Sequence, residues 1–374
     1  MEDARHWLAL ARTPGSRATL GTLLDEHGTP AALFTTKPSA LRAAGLDDEA
    51  LAALAAPDWA KVDADLAWLE RSGTTLVVRG APDYPPLLAL APDPPLVLFV
   101  RGKPEVLTLP QLAIVGSRNP TATGLRDAEA FATTLGGAGF TIVSGLALGI
   151  DAAAHQGALG AGATTIAVCA TGLDRVYPAR HRELAHRIAA AGALVSEFAP
   201  GTPPLKHHFP LRNRIIAGLS LGTLVVEAAA QSGSLITARL AGEAGRGVFA
   251  LPGSIHNPLA KGCHRLIRDG ATLVENAADI VAELGDIAGV ALSAPPRGRA
   301  SATLDAPTDA DDPERARVFA EVDWAPTTID RIVERSGLPM TVVCSTLLML
   351  ELQGRVAAQA GGRYVRINPG EEQR

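Results

Sequence analysis

The chain has 374 residues, 47% of them hydrophobic and 20% charged, which is the composition of an ordinary globular protein of two or three domains. Its formal net charge is −5, it contains no run of about 18 uncharged apolar residues, and its N-terminus lacks the order of a signal peptide. Three widely spaced cysteines exclude a disulfide framework or a cysteine metal cluster and favour a reducing cytoplasm, so we expect a cytoplasmic protein with no membrane segment.

The first 70 residues have a helical pattern. Short amphipathic segments such as Ala18–His27 and Ala31–Phe34 are separated by proline and glycine, and no strand-like run occurs before Thr74–Arg79. We therefore predict a small all-helical domain at residues 1–70, of the SAM-like or helix-hairpin-helix-like kind.

Residues 75–290 alternate between short apolar runs and helical patterns. The apolar runs predict strands at Leu112–Val115, Phe140–Val143, Thr164–Cys169, Ala193–Val195, Thr223–Val226, Val248–Leu251 and Thr272–Val274. Continuous apolar strands separated by helices are typical of a parallel sheet that is covered on both faces. The fold class is thus predicted to be α/β, with a Rossmann-like doubly wound parallel sheet whose ligands bind at the carboxyl ends of the strands.

The C-terminal region has two predicted parts. Residues 291–312 are rich in small and polar residues and read as a flexible linker, whereas residues 313–369 predict three helices and a hairpin, the pattern of a winged helix. The longest of these helices, Met340–Gln353, contains no lysine or arginine. Because helices that read DNA grooves need cations and base-edge donors, we interpret this unit as a protein-contact or regulatory module.

Several predicted strands end in residues suited to phosphate binding. After the first strand of the sheet, Gly116 permits close backbone approach, Ser117 offers a hydroxyl and Arg118 offers a guanidinium fork, although the segment matches neither the dinucleotide fingerprint nor the P-loop. The alternative is a tight strand-to-helix turn with an exposed arginine. In either case Thr123 is the candidate cap of the helix that follows. The next two predicted strands end in comparable polar residues, namely Ser144, Gly145 and Arg175. Asp151 is expected to cap the helix that begins beside it.

The segment Phe198–Arg214 shows no clear periodicity and is predicted to be a long functional loop. From Arg175 to Arg214 the sequence holds seven lysines or arginines against two acids, a local net charge of +5. Cations around a single aromatic residue suit a ligand with both phosphates and flat rings. The candidate contact residues on this loop are Lys206, Phe209, Arg212 and Asn213. Alternatively, Phe209 fills the core and the two arginines, Arg212 and Arg214, form salt bridges.

The fifth predicted strand leads to Glu227 and then to Ser232, Gly233 and Ser234 before a helix. Either serine could cap that helix, and the turn could present N–H groups to an anion. Glu227 is either a catalytic carboxylate or the anchor of a loop arginine, and the second interpretation is favoured. No metal-ligand spacing and no cofactor fingerprint occur, so we expect neither a metal nor a cofactor.

Together these motifs resemble those of a known family. The residues that carry the resemblance occur in one order, namely Ile114–Arg118, Ser144–Ala147, Gly149–Asp151, Gly172–Asp174, Tyr177-Pro178, Phe209–Arg214, Val225–Glu227, Ser232–Ser234 and Pro252-Gly253. They are similar to the DprA family, also called Smf, of bacterial DNA-processing proteins in natural transformation. The resemblance spans about Tyr84 to Asp286. One departure is Arg180-His181-Arg182, where the family often carries an asparagine.

The resemblance implies a homodimer that binds single-stranded DNA, protects incoming strands and loads the recombinase RecA, with single-strand-binding protein as a further candidate partner and with no catalysis. By resemblance, Gly116, Ser117 and Arg118 hold phosphates, Lys206 adds a phosphate contact, Phe209 stacks on a base, and Arg212 and Asn213 complete the pocket. The remaining DNA-binding candidates are Ser144, Gly145, Arg175, Ser232, Gly233 and Ser234.

A second function class is an enzyme. The predicted core also resembles the lysine-decarboxylase-like nucleotide phosphoribohydrolases, in which an arginine and a glutamate act near a phosphate site. Arg118 and Glu227 would be that pair here. The glycine-rich phosphate motif of those enzymes is replaced by Ser232–Ser234 in this chain, which argues against the enzyme hypothesis.

Overall fold

The computed structural model describes residues 2–289, 313–322 and 325–367, which belong to two compact units. The larger unit contains the N-terminal helices and a large sheet, and the smaller contains Gly253–Pro258 and the C-terminal residues. The predicted linker at 291–312, and the end of the predicted winged unit beyond Ile367, lie outside the described residues. The domain boundaries inferred from the sequence therefore stay a prediction.

The N-terminal region is helical, as predicted. Its helices are α1 Glu2–Arg12, α2 Arg17–His27, α3 Pro30–Thr35, α4 Pro38–Ala43, α5 Asp48–Ala55 and α6 Trp59–Ser72. Four of them begin after a residue whose side chain accepts a hydrogen bond from the backbone N–H three positions later, namely Ser16, Thr29, Asp47 and Asp58. These side chains satisfy N–H groups that the first turn of a helix leaves free, so they fix where the helices start.

Nine strands form the large sheet. They are β1 Thr74–Val78, β2 Val97–Gly102, β3 Gln111–Val115, β4 Thr141–Ser144, β5 Thr165–Val168, β6 Ala193–Ser196, β7 Gly222–Val225, β8 Gly247–Ala250 and β9 Thr272–Leu273. Their order across the sheet is β1-β2-β6-β5-β4-β3-β7-β8-β9. In this spatial order, all neighbouring strands between β6 at one end and β9 at the other pair in parallel. The pairs β1–β2 and β2–β6 are antiparallel.

The order of the strands identifies the binding edge of the sheet. From the central strand β3 the chain moves outward through β4, β5 and β6, then returns to the other side of β3 as β7 and continues to β8 and β9. The junction between β3 and β7 is therefore the topological switch point, where loops diverge and leave a crevice at the carboxyl ends of the strands. The strand β2 was missed from the sequence, where it follows Pro94 and Pro95 and lacks the helical neighbours of a parallel strand.

Helices cover both faces of the sheet, which confirms the doubly wound α/β fold. They are α7 Pro86–Ala89, α8 Ala122–Ala138, α9 Ile150–Gly160, α10 Arg182–Ala191, α11 His208–Leu219, α12 Ser234–Glu243, α13 Lys261–Arg268 and α14 Ala277–Ala288. Successive residues of β3 point to opposite faces, so that Ala113 and Val115 pack in the cluster with α11, α12 and α13, and Leu112 and Ile114 pack in the cluster with α8, α9 and α14.

A buried ionic cluster joins the N-terminal helices to the sheet region. The Arg214 guanidinium on α11 is 12% exposed, pairs with the Glu197 carboxylate, and places Nε 3.2 Å from Oδ2 of Asp93. Arg17 of α2 lies close enough to Glu197 for their charges to interact. The alternative that Arg214 forms salt bridges is thus confirmed. Since breaking a buried pair leaves an uncompensated charge, the cluster fixes α11 against α2.

The smaller unit has the winged-helix architecture predicted from the sequence. Its elements are α15 Pro313–Glu321, β10 Thr327–Thr328, α16 Ile329–Ser336, α17 Met340–Leu352, β11 Val356–Gln359 and β12 Arg363–Arg366. The three strands pair in the order β10-β12-β11. Within the described residues no single helix is long and apolar enough to cross a membrane, and α16 with α17 meets that test only as a pair bent by 112°.

His155 is a buried histidine whose hydrogen bonds explain a depressed pKa. The hydroxyl of Thr165 donates to the Ile142 carbonyl, so His155 Nδ1, 2.7 Å from that hydroxyl, must be the donor to it. Nε2 is buried without a partner. Burial therefore lowers the pKa of His155 to about 3, because protonation would place an unpaired N–H⁺ in an apolar interior.

We expect this histidine to make the fold acid-sensitive. A folded-state pKa below the unfolded value of 6.5 gives stability that is complete above pH 6.5 and is lost as the pH falls towards 3. Between pH 7.5 and pH 5, urea denaturation should show a loss of about 2 kcal/mol that His155→Gln lacks. The matched control is His27→Gln at an exposed position, which should retain the wild-type pH dependence. Equal pH dependence in both variants would contradict this account.

Candidate nucleic-acid interface

The turn after β3 lies at the switch point of the sheet. Ser117 N donates to the Glu227 carbonyl at 2.7 Å, and Ile150 N donates to the Ser117 carbonyl at 3.1 Å. A Cβ at position 116 would lie 2.7 Å from Ile150 and 2.9 Å from the Glu227 carbonyl oxygen, so only glycine fits there. Backbone bonds hold the turn in place, and Arg118 extends from it with an exposed side chain.

Glu227 anchors a helix through its carboxylate, whereas its favoured role as the anchor of a loop arginine stays a prediction. Its carboxylate accepts from Thr121 N at 2.8 Å and from the Thr121 hydroxyl at 2.7 Å. That hydroxyl in turn accepts from Gly124 N at 3.0 Å, so Thr121, rather than the expected Thr123, caps α8. The carboxylate therefore fixes the first turn of α8 against the end of β7.

The segment Phe198–Arg214 is only partly irregular. Helix α11 begins at His208, so Phe209, Arg212 and Asn213 are helical rather than on a long loop. Pro210 indicated a loop in the sequence, yet it occupies the first turn of the helix, where an N–H would have no intrahelical acceptor. The helix presents these three side chains to the crevice from one rigid element.

Arg212 lies beneath the crevice and is 4% exposed. Its Nη1 donates to the Val168 carbonyl at 3.0 Å, and a Cβ on Gly145 would lie only 1.4 Å from that nitrogen. Burial lowers the pKa of Arg212 and the charge of Asp151 opposes that change, so the guanidinium stays protonated. The missing side chain of Gly145 therefore leaves the space that the Arg212 guanidinium occupies.

Asp151 is bonded to the loop that follows β4. Its Oδ2 accepts from Gly145 N at 3.0 Å and from Ala147 N at 3.4 Å, and the residue lies inside the first turn of α9, which Gly149 begins. The expectation that Asp151 is the helix cap is therefore wrong. Ser144, also predicted as a contact residue, is fully buried and donates to the Ile114 carbonyl at 2.6 Å, so it joins β4 to β3 beneath the surface.

Two aromatic rings and a cation form one wall of the crevice. The ring centroids of Phe209 and Tyr177 are 5.8 Å apart at an interplanar angle of 54°, and the Arg118 guanidinium carbon lies 5.2 Å from the Phe209 centroid. Phe209 is half-buried, and Tyr177 is 49% exposed. The alternative that Phe209 fills the core is not what the structure shows. The wall offers flat apolar surface beside an exposed positive charge.

The turn Ser232–Ser234 forms the opposite wall. The Ser232 hydroxyl accepts from Ser234 N at 3.3 Å, and Asn213 Nδ2 donates to the Gly233 carbonyl at 3.4 Å. Gly233, rather than either serine, occupies the cap position of α12. The two walls enclose a groove of about 340 Å³, which is large enough for a nucleotide unit.

The groove brings together eight of the thirteen predicted contact residues. Those lining it are Gly116, Arg118, Phe209, Arg212, Asn213, Ser232, Gly233 and Ser234. Gly145 lines an adjoining cleft on the Tyr177 side, and Ser117 holds the turn behind Arg118. Lys206 is exposed two residues before α11, and Arg175 pairs with Asp174 at 2.8 Å; both lie outside the lining of these two cavities.

Other lining residues were not among the predicted contacts, and three of them are polar, aromatic or proline residues of particular interest. Tyr177 and Pro178 line the cleft beside Phe209, and Thr237 lines the groove beyond Ser234. The signal for Tyr177 was present, since an aromatic residue follows the glycine-bearing end of the third predicted strand. Nothing in the sequence pattern distinguished Thr237 from other polar residues of α12.

Comparisons with known proteins agree with this architecture. A family model described as DNA recombination-mediator protein A matches residues 75–285, and one described as DprA winged helix domain matches residues 302–362. The protein Smf of Escherichia coli is 44% identical over 312 residues, which cover 82% of this chain and 81% of the relative.

Two solved structures are similar in fold and sequence. The chain superposes on DNA processing protein A from Streptococcus pneumoniae with a TM-score of 0.64 at 37% identity, covering 74% of this chain and 95% of the other. The protein from Helicobacter pylori gives a TM-score of 0.52 at 30% identity, covering 58% and 98%, and is described by its single-stranded DNA binding mode.

We expect the packing of Arg212 on Gly145 to be sensitive to a single methyl group. Gly145→Ala should displace the guanidinium from Val168 and lower the free energy of unfolding by about 2 to 3 kcal/mol, measured by urea denaturation. The matched control is Gly137→Ala in α8, where a Cβ meets no heavy atom within 4 Å and should be neutral or slightly stabilising. Similar stabilities for the two variants would contradict the close approach.

Proposed function

We propose, from the premise that this chain belongs to the DNA recombination-mediator protein A family, that its groove binds single-stranded DNA. One observation carries the proposal: the switch point of the sheet places the Arg118 guanidinium against the Phe209 ring, with Tyr177 beside them. A phosphate-binding group and a stacking platform side by side suit a ligand that carries phosphates and bases in alternation.

The phosphate contacts are assigned to the groove rim. Arg118 is exposed, and its fork geometry matches a phosphate. Lys206 is exposed as well, and in the described structure it forms no ion pair that would hold it elsewhere. Ser232, Gly233 and Asn213 provide polar groups on the opposite wall. We assign Arg212 a supporting part, because its guanidinium already donates to Val168 from a buried position.

The aromatic wall favours an unpaired strand over a duplex. Bases can stack on Phe209 or Tyr177 only when they are free of a partner strand, and such stacking is tolerant of sequence. In the winged-helix unit, helix α17 carries no lysine or arginine and exposes Leu348, Met349 and Leu352. Its apolar face suits contact with protein better than contact with a DNA groove.

The cellular setting is proposed at the level of the family. A recombination mediator delivers single strands to a recombinase, which supports a cytoplasmic protein that acts in natural transformation and loads RecA. Homodimerisation and contact with single-strand-binding protein belong to the same proposal and rest on the family resemblance alone. So does the division into a helical domain at 1–70, a DNA-binding domain at 75–290, a linker and a winged helix.

The geometry of Glu227 disfavours the enzyme alternative. A phosphoribohydrolase would need this carboxylate directed at a bound nucleotide, whereas both of its oxygens accept hydrogen bonds from Thr121. The residue is also only 8% exposed. We therefore propose a binding protein without catalysis, and assign Glu227 to the positioning of α8.

Binding measurements at several salt concentrations test the groove. Arg118→Ala should weaken single-strand binding and reduce the salt slope by about 0.7, because it removes one phosphate contact. Phe209→Ala should cost about 1 to 3 kcal/mol with little change in slope, since stacking releases few counterions. The control is Lys103→Ala, an exposed cation after β2, whose antiparallel pairing with β6 places it at the opposite edge of the sheet. If Lys103→Ala and Arg118→Ala behaved alike, the assignment of the groove would be wrong.

An assay for base release tests the enzyme alternative directly. Incubation with nucleoside monophosphates should yield no free base from either the wild-type protein or Glu227→Gln. The variant should instead lower the stability of the fold by about 1 to 3 kcal/mol, because it weakens charged hydrogen bonds to Thr121. Base release by the wild type that Glu227→Gln abolishes would overturn the proposal.

A further inference from the structure

Helix α10 carries exposed cations that the groove does not use. Arg182 and Arg187 are both exposed, and among the described residues neither forms an ion pair. The buried side chains of this helix are Leu184, Ala185 and Ile188, which pack in the hydrophobic core. The opposite face is thus free to contact a ligand along the whole helix.

The spacing of these cations suits a chain of phosphates. Arg182 and His186 are one helical turn apart, and Arg187 lies about 7.5 Å beyond Arg182 along the helix axis. Both arginines flank the exposed face, because the three buried residues occupy the other side of the helix. Arginines at the two margins of one exposed face provide two separate phosphate contacts rather than one.

The start of α10 is fixed next to the groove. Tyr177 and Pro178 line the cleft beside Phe209, and a 3-10 helix, Ala179–His181, connects them directly to α10. His181 Nδ1 lies 2.9 Å from the Leu146 carbonyl, which ties this connection to the loop that lines the same cleft. A strand that leaves the groove past Tyr177 therefore meets Arg182 first and Arg187 next.

On α12, beyond the opposite wall of the groove, the exposed arginine is Arg239, and it pairs with Glu243 at 2.5 Å. We propose that the exposed face of α10, with Arg182 and Arg187, is a second phosphate-binding surface that takes the continuation of a single strand beyond the groove. The inference rests on the proposed function, since it presupposes that the groove holds one part of the strand.

One acidic residue lies on the same face, and its removal should change DNA binding in the opposite direction to removal of the arginines. Glu183 is exposed between the two arginines and forms no ion pair within the described structure. A phosphate that lies along α10 is repelled by this carboxylate. Its removal should therefore tighten the binding of a strand that reaches α10 and leave unchanged the binding of one that does not.

Strands of two lengths separate the groove from α10. The full-length protein is titrated with a strand of about two nucleotides, which the groove alone can hold, and with one of about twenty-five, at several salt concentrations. The double variant Arg182→Ala/Arg187→Ala should weaken binding of the long strand and reduce its salt slope by about 1.4, and should leave the short strand unaffected. Glu183→Gln should tighten binding of the long strand only.

The control removes two free cations elsewhere. Arg71 and Arg268 are exposed, and both lie at the edge of the sheet opposite the groove, because Arg71 precedes β1 and Arg268 precedes β9. Their double alanine variant should bind both strands as the wild type does. If the α10 variant matched this control on the long strand, or weakened both strands equally, the second surface would be disproved while the groove stood. If the wild type bound neither strand, the proposed function itself would fail.

Discussion

The burial of the Arg212 guanidinium is the constraint on which the rest of the site depends. A charge beneath the strand ends must be hydrogen-bonded, and Val168 of β5 supplies the acceptor. The same guanidinium needs the space that Gly145 leaves at the end of β4. One side chain of α11 therefore sets the distance between that helix and two strands, and so places Phe209 at the mouth of the crevice.

The two acids nearest the groove are both engaged by backbone donors. Asp151 accepts from the loop after β4, and Glu227 accepts from the first turn of α8. Each carboxylate thus stabilises a loop end while its negative charge is partly offset by N–H dipoles. The cations at the rim, by contrast, have few acidic partners. The electrostatic character of the site follows from which charges the fold holds in place and which it leaves exposed.

The sequence predicted the fold well and the site in part. Apolar runs located seven of the nine strands with bounds close to those observed, because a strand buried on both faces needs unbroken hydrophobicity. The helical start of α11 was missed, since Pro210 indicates a loop unless its position within the first turn is known. The burial of Arg212 was hidden because it depends on Gly145, which is distant in sequence. The bonds of Glu227 to Thr121 were hidden for the same reason.

The contrast between an acidic chain and a basic rim has a kinetic consequence. The chain as a whole carries a formal net charge of −5, which repels a polyanion, whereas the rim of the groove presents the exposed cations Arg118 and Lys206. The electrostatic field thereby favours some orientations of the approaching polyanion over others before the two molecules touch. Under the proposed function, productive collisions are those that already present the strand's backbone to the carboxyl edge of the sheet, so the net negative charge would guide the strand as well as the rim cations would hold it.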